Sequence, residues 1–203
     1  MKTFSPSHLL KPGYLTRFLT VIGMIILASF TEKTLDQSPY KLVPSSQIKV
    51  LGTSNLHDWT MLSTSFNCEG SFIVKNNQLQ DLSALSFVLP VKSLKSKEDL
   101  MDTRAYKALK AAAYSKITFK LTQATVLSQQ KIIKATGNLT IAGVTNQVML
   151  QTNYVLNADE SITCKGSKTI KMGDYGIKAP SFMMGALKTG DEVTIDIQLK
   201  FKN

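Results

Sequence analysis

Histidine and cysteine are scarce in this chain, with two of each in 203 residues, and His57 is the only histidine after the first 30 positions. Nucleophilic catalysis needs a base within hydrogen-bond reach of the nucleophile. His57 and Asp58 are adjacent in sequence, which does not build a triad, and no serine sits in a strained-elbow motif. One histidine, two distant cysteines and scattered carboxylates also lack any recognised metal-ligand spacing. A glycine-rich phosphate loop is missing as well. These absences argue against an enzyme and leave no catalytic residue, metal set or cofactor motif to assign. Long apolar runs are absent too: residues 18–30, FLTVIGMIILASF, are 13 in number, short of the roughly 20 that span a bilayer as a helix.

What the N-terminus does have is an address. Lys2, Lys11 and Arg17 precede that apolar run with no acid among residues 1–30, the pattern of an export signal. Small residues at Ala28 and Ser29 offer an imperfect cleavage site, with an uncleaved tether as the alternative, and no cysteine adjoins the run to carry a lipid. The expected location is therefore periplasmic or secreted. The formal charge is +10, of which these three bases supply three, leaving +7 on the remainder. Such a surplus favours anionic partners by long-range attraction and says nothing about fold. Outside residues 92–97 there is no compact basic run, and none is interleaved with aromatics, so nucleic acid is not an expected partner. Export would place Cys68 and Cys164 in an oxidising compartment, where they pair if their Cα atoms come within about 7 Å. Buried thiols acting as small hydrophobes are the alternative.

Beyond a polar lead over 31–39, the chain reads with a period of two. Strands are expected at 40–43 and 47–53, then over 61–74 with Gly70 as a bulge or bend, 79–91, 116–127, 131–141, 147–156, 161–172 and 192–201. The Ala142-Gly143 break joins two of them as a hairpin, with Thr145 and Asn146 adding turn chemistry. One helix is expected over 96–110, where Ser96 stands as a cap and Leu100 or Met101, Ala105, Ala108 and Leu109 recur at helical spacing. About eight strands joined by short turns indicate an antiparallel sheet buried on one face, an all-β fold. Closure into a barrel removes exposed edges and leaves an interior that side chains fill or that holds one small ligand. A β-sandwich, burying the same faces without a cavity, is the competing architecture.

Four passages carry a resemblance: SNLHDW at 54–59, residues 101–110 with 114–119, residues 137–148 and GDYGI at 173–177. The stretch GNLTIAGVT at 137–145 is the most specific. Together they make residues 40–202 similar to the YceI-like family of exported bacterial lipid-binding proteins. Two positions depart from the family pattern. Tyr114-Ser115 stands where Tyr-Pro is common, and the arginine expected before the Asp-aromatic-Gly-Ile passage is missing, with Lys171 the nearest base. The resemblance implies a lipocalin-like barrel with one short inserted helix. It also implies binding of a long apolar molecule, an isoprenoid lipid or isoprenoid quinone, as the bound group. Each isoprene unit moved from water into an apolar tunnel would contribute on the order of 3 kcal/mol before ordering costs, at about 0.8 kcal/mol per buried carbon.

On that reading the tunnel candidates are Trp59, Phe66, Phe72, Phe87, Leu89, Phe119, Leu121, Ile141, Leu150 and Met183. Each also reads as an ordinary core residue. His57, Asp58 and Arg104 are candidates for a polar head group, set against a turn-stabilising role for the first two and a solvated helix face for the third. The partners in view are a hydrophobic small molecule, a membrane surface and a second copy of the chain. A filled barrel or sandwich acting as a ligand-free interaction or stress-protection module is the rival function.

Overall fold

Alternating apolar positions dominate the described part of the chain, and they fold into a closed antiparallel barrel. The computed structural model describes residues 39–203, the side chains of Phe182 and Met183 excepted; the export signal expected over 1–30 and all but the last residue of the polar lead expected over 31–39 lie outside that range. The first strand is broken in two, β1 (Tyr40–Leu42) and β2 (Gln47–Ser54), around the turn at Pro44. The second is likewise broken into β3 (Trp59–Ser63) and β4 (Asn67–Lys75). There follow β5 (Gln78–Pro90), α1 (Asp99–Ala108), β6 (Lys116–Leu127), β7 (Ile132–Ile141), β8 (Val144–Leu156) and β9 (Ile162–Lys171). The two-residue β10 (Ser181–Phe182) and the long β11 (Leu187–Lys202) end the chain.

Closure depends on the two broken strands. Leu42 pairs with Phe201 and Gln47 with Gln198, so β1 and β2 both lie along β11. On their other edge Tyr40 pairs with Gly70 and Ile48 with Ser63, so β4 and β3 continue one another. Consecutive pairing from β4 through β9 to β11 completes a ring of eight strand positions. Full closure satisfies the backbone groups that an open edge would expose. The outer edge of β3 is met by the chain after β5, where Leu62 and Lys95 exchange two backbone hydrogen bonds of 2.7 and 2.8 Å.

Local chemistry accounts for the connections. The β7–β8 hairpin turns through Ala142 and Gly143, with φ of 49° and 83°, and pairs Ile141 directly with Val144. Two positive φ values are what a tight two-residue hairpin requires. Thr145 and Asn146, expected in the turn, are instead strand residues: the Thr145 and Thr140 hydroxyls lie 2.8 Å apart, and Asn146 Nδ2 donates to the Asp174 carbonyl. The bulge expected at Gly70 falls one step on, where the register shifts between Ser71 and Phe72, and the strand is also broken earlier, at residues 64–66.

Helix α1 is anchored over one end of the barrel by polar contacts on its wall-facing side. Ser96 N–H donates to Asp102 Oδ1 at 2.7 Å, and Lys95 Nζ lies 3.2 Å from Asp102 Oδ2. Tyr106 Oη donates to the Leu94 carbonyl at 2.7 Å. Ser96 does not cap a free helical N–H as expected; its hydroxyl accepts from Glu98 N–H, just outside the helix. Among the described residues no helix is long and apolar enough to cross a membrane.

Candidate functional site

The barrel interior differs between its two ends. At the end formed by β1, the start of β5 and the tail of β11, aromatic rings fill the cross-section. Phe72 stands edge-on to Tyr40 at a centroid distance of 5.4 Å and against Phe201 at 5.1 Å. Leu79, Ile133, Tyr154 and Ile162 close the remaining space, all essentially solvent-free. At the other end the inward positions of the same strands leave a cavity of about 410 Å³. Its wall is almost wholly apolar, with Leu85, Phe87 and Leu89 from β5, Ile195 and Ile197 from β11, and Leu150 from β8. Helix α1 closes one side through Met101, Ala105, Ala108 and Leu109.

The half-buried state of Phe87, Leu150, Ile195 and Ile197 follows from this hollow. They sit at inward strand positions, yet they keep accessible area because they face the cavity. An unfilled volume costs stability at roughly 24 cal/mol per Å³ in proteins where cavities have been carved by mutation. Apolar cavities of roughly 150 Å³ stay dry and take up apolar molecules. A hollow larger than that, open at one end and walled by hydrocarbon, has the size and chemistry to take up an apolar molecule.

The expected tunnel residues divide between the two ends. Trp59, Phe87, Leu89, Phe119, Ile141 and Leu150 all line the cavity. Phe72 does not, because it is the centre of the aromatic plug. Phe66, in the break between β3 and β4, packs its ring 5.4 Å from Phe87 and borders a shallow side cleft with Pro44 and Thr64. Leu121 stands at the β6 register shift that precedes Gln123, half-buried and away from the cavity wall. The side chain of Met183 lies outside the described residues. Trp59 is held by its neighbours: it pairs with Gly52, its ring fills the place a Cβ at Gly52 would take, and its Nε1–H donates to the Thr53 carbonyl at 3.1 Å.

Of the head-group candidates, His57 and Arg104 line the cavity toward its mouth, joined by Glu98 and Lys188, while Lys168 enters the wall from β9 opposite Ile195. Asp58 is exposed and does not line the cavity. His57 also serves its turn. Its backbone N–H donates to Ser54 Oγ at 3.1 Å, and its Nδ1 lies 2.8 Å from the Asp58 carbonyl oxygen. Asn55 ties this loop to the β10–β11 hairpin, its Nδ2 donating to the Ala186 carbonyl and its Oδ1 accepting from Lys188 N–H. The Gly173–Tyr175 turn shapes another part of the wall. Asp191 Oδ1 accepts from Gly173 N–H at 2.9 Å, and Tyr175 is buried against the cavity, where desolvation pushes its hydroxyl pKa upward.

Cys68 and Cys164 are both buried and both free thiols. Burial, foremost, drives each pKa up to about 12, and for Cys68 the nearby Cys164 and Glu69 add to it. Such thiols carry almost no thiolate near neutrality and are inert. Cys68 lies on the cavity wall at its boundary with the plug. Among the described residues there is no group of three or more histidine, cysteine or carboxylate side chains placed to hold a metal.

A family model described as YceI-like domain matches residues 40–201. The chain belongs to the YceI-like family. Its solved neighbours agree on the barrel. Burkholderia cenocepacia BcnA superposes with a TM-score of 0.64 at 16% identity, covering 76% of this chain and 95% of that one. A polyisoprenoid binding domain from Saccharophagus degradans, implicated in plant cell wall breakdown, gives 0.61 at 14% identity, with coverage of 82% and 98%. The Campylobacter jejuni YCEI protein gives 0.54 at 17%, covering 67% and 81%. At these identities the likeness is one of fold. No curated protein matches in a sequence search.

Sequence reasoning missed Met61, Leu139, Ile170 and Met172, and the cavity-facing row on β11. The β11 row was visible as an unbroken alternation through Val193, Ile195, Ile197 and Leu199. Nothing in that alternation distinguishes a position facing a cavity from one facing a packed core.

Proposed function

We propose that this YceI-like protein is an exported, non-catalytic carrier that holds one long apolar molecule, an isoprenoid lipid or isoprenoid quinone, tail inward in the open half of its barrel. The observation that carries this reading is the 410 Å³ apolar cavity, open beside α1 and blocked at its inner end by Tyr40, Phe72 and Phe201. A chain of methyl-branched hydrocarbon matches such a wall, because its binding energy comes from area removed from water and needs few polar partners. The polyisoprenoid binding domain among the structural neighbours supports the same ligand class. The head group would stay at the mouth among His57, Arg104 and Lys188. Periplasmic or secreted placement is supported by the family and by the apolar N-terminal run.

The single tryptophan provides the test, since Trp59 lines the cavity. Titration with an isoprenoid quinone should quench its emission saturably at one equivalent, and an unlabelled polyprenol of similar length should reverse the quenching. Emission that ignores both ligands would overturn the carrier reading in favour of a ligand-free module.

A further inference from the structure

The open end of the barrel carries exposed apolar side chains on three separate elements. Leu56 is 66% exposed in the β2–β3 loop, and Leu100 is 59% exposed in the first turn of α1. Met184 is fully exposed at the tip of the β10–β11 hairpin. Each adjoins the cavity rim: Leu56 lines the cavity itself, Leu100 lies between the lining residues Glu98 and Met101, and Met184 precedes the lining residues Leu187 and Lys188. The Asn55 bonds to Ala186 and Lys188 hold two of the three elements side by side. An apolar side chain left in water on one loop is ordinary, whereas three converging on one opening call for a partner.

Charge indicates which partner. Among the lining residues Lys188, Arg104 and, deeper in the wall opposite Ile195, Lys168 outnumber the one carboxylate, Glu98, while of the exposed residues flanking the lining Lys97 and Lys178 stand beside Asp58, Asp99 and Asp174. Apolar tips around an opening whose lining carries an excess of cations match the interfacial layer of an anionic bilayer, where hydrocarbon enters between head groups and lysines meet phosphate. We propose that the open end docks on an anionic lipid bilayer, inserting Leu56, Leu100 and Met184 around the cavity mouth, so that an apolar ligand passes between membrane and barrel without crossing water. The transfer role rests on the carrier reading; the docking does not.

The test is flotation of the intact protein with vesicles of phosphatidylcholine alone or with one-third phosphatidylglycerol. The barrel supplies its own controls, Met149 and Val155, which are 54% and 57% exposed on β8 and do not line the cavity. Met184→Asp and Leu100→Asp should each lower partition onto the anionic vesicles about tenfold, while Met149→Asp and Val155→Asp leave it unchanged. Lys188→Glu and Lys178→Glu should each cost about fivefold or more, at about one tenfold step per 1.4 kcal/mol. Quinone quenching of Trp59 in vesicle-free solution should be unaffected in Met184→Asp and Leu100→Asp, because neither side chain lines the cavity. Rim and β8 variants that behave alike would overturn the docking, as would partition that ignores phosphatidylglycerol or needs a membrane protein in the vesicle. A wild type that floats but never binds quinone would sink the carrier reading and leave the docking standing.

Discussion

The two ends of this barrel are made from the same strands and the same residue types, yet one is solid and the other hollow. Phe72 and Phe201 at the solid end touch other rings at about the distance expected of packed aromatic pairs. At the hollow end Phe87 and Phe119 line the wall of a 410 Å³ space. Hydrophobicity therefore does not decide which end binds. The solid end converts apolar surface into stability within the chain. Apolar surface at the hollow end stays partly exposed to the cavity.

The largest effect should come from erasing the difference. Replacing Ile197, which lines the cavity, with tryptophan should narrow the space and weaken ligand uptake about tenfold or more, while changing thermal stability little or raising it, since overpacking strain is small where a void receives the added atoms. Uptake unchanged in Ile197→Trp would show that the ligand sits elsewhere. Next in size is Phe72→Ala, which should cost about 3–5 kcal/mol in denaturant unfolding because a buried ring is lost from close packing. Leu150→Ala, at a half-buried wall position, should cost no more than about 1–2 kcal/mol in the ligand-free protein, with fewer contacts to lose. Equal losses would erase the distinction between the two ends.

Stability against pH should separate the helix anchor from the core. Burial by itself would raise the Asp102 pKa, but hydrogen bonds from Ser96 and the Lys95 ammonium outweigh it and hold the carboxyl below its usual range. A depressed carboxylate stabilises the fold above its unfolded value of about 3.9, and that contribution is lost as pH falls through the lower folded value. The raised thiols act at the opposite limit. Their contribution is intact below about 8.5, the unfolded value, and declines as pH climbs toward about 12. Asp102→Asn should therefore flatten the acid limb of a melting-temperature profile and leave the alkaline limb unchanged. A wild-type acid limb retained in the variant would remove Asp102 from the account.

The smallest expected change lies inside the plug. The Tyr154 hydroxyl is fully buried and finds no hydrogen-bond partner among the described residues. Tyr154→Phe should then be neutral or stabilising by up to about 1 kcal/mol, and a clear loss on chemical denaturation would reveal a partner for that hydroxyl.

Much of the architecture was legible from periodicity. The strand expected over 116–127 coincides with β6, and the helical spacing of Met101, Ala105 and Ala108 marks α1. What stayed hidden depends on register. The break at residues 64–66 contains neither glycine nor proline, so the second strand read as continuous past it. Phe66, Phe72 and Phe87 are equivalent in an alternation pattern; only their height along the closed barrel places them at a side cleft, a plug and a cavity wall. The loop contacts of the mouth, such as Asn55 with Ala186 and Lys188, join positions more than a hundred residues apart and leave no local trace.

The most direct test of the central claim is native mass spectrometry of the protein purified from its own host, followed by organic extraction of whatever it carries. The account predicts one isoprenoid or isoprenoid-quinone molecule per chain, with lower occupancy in Ile197→Trp. A protein that emerges empty and also refuses added polyprenyl lipid would contradict it.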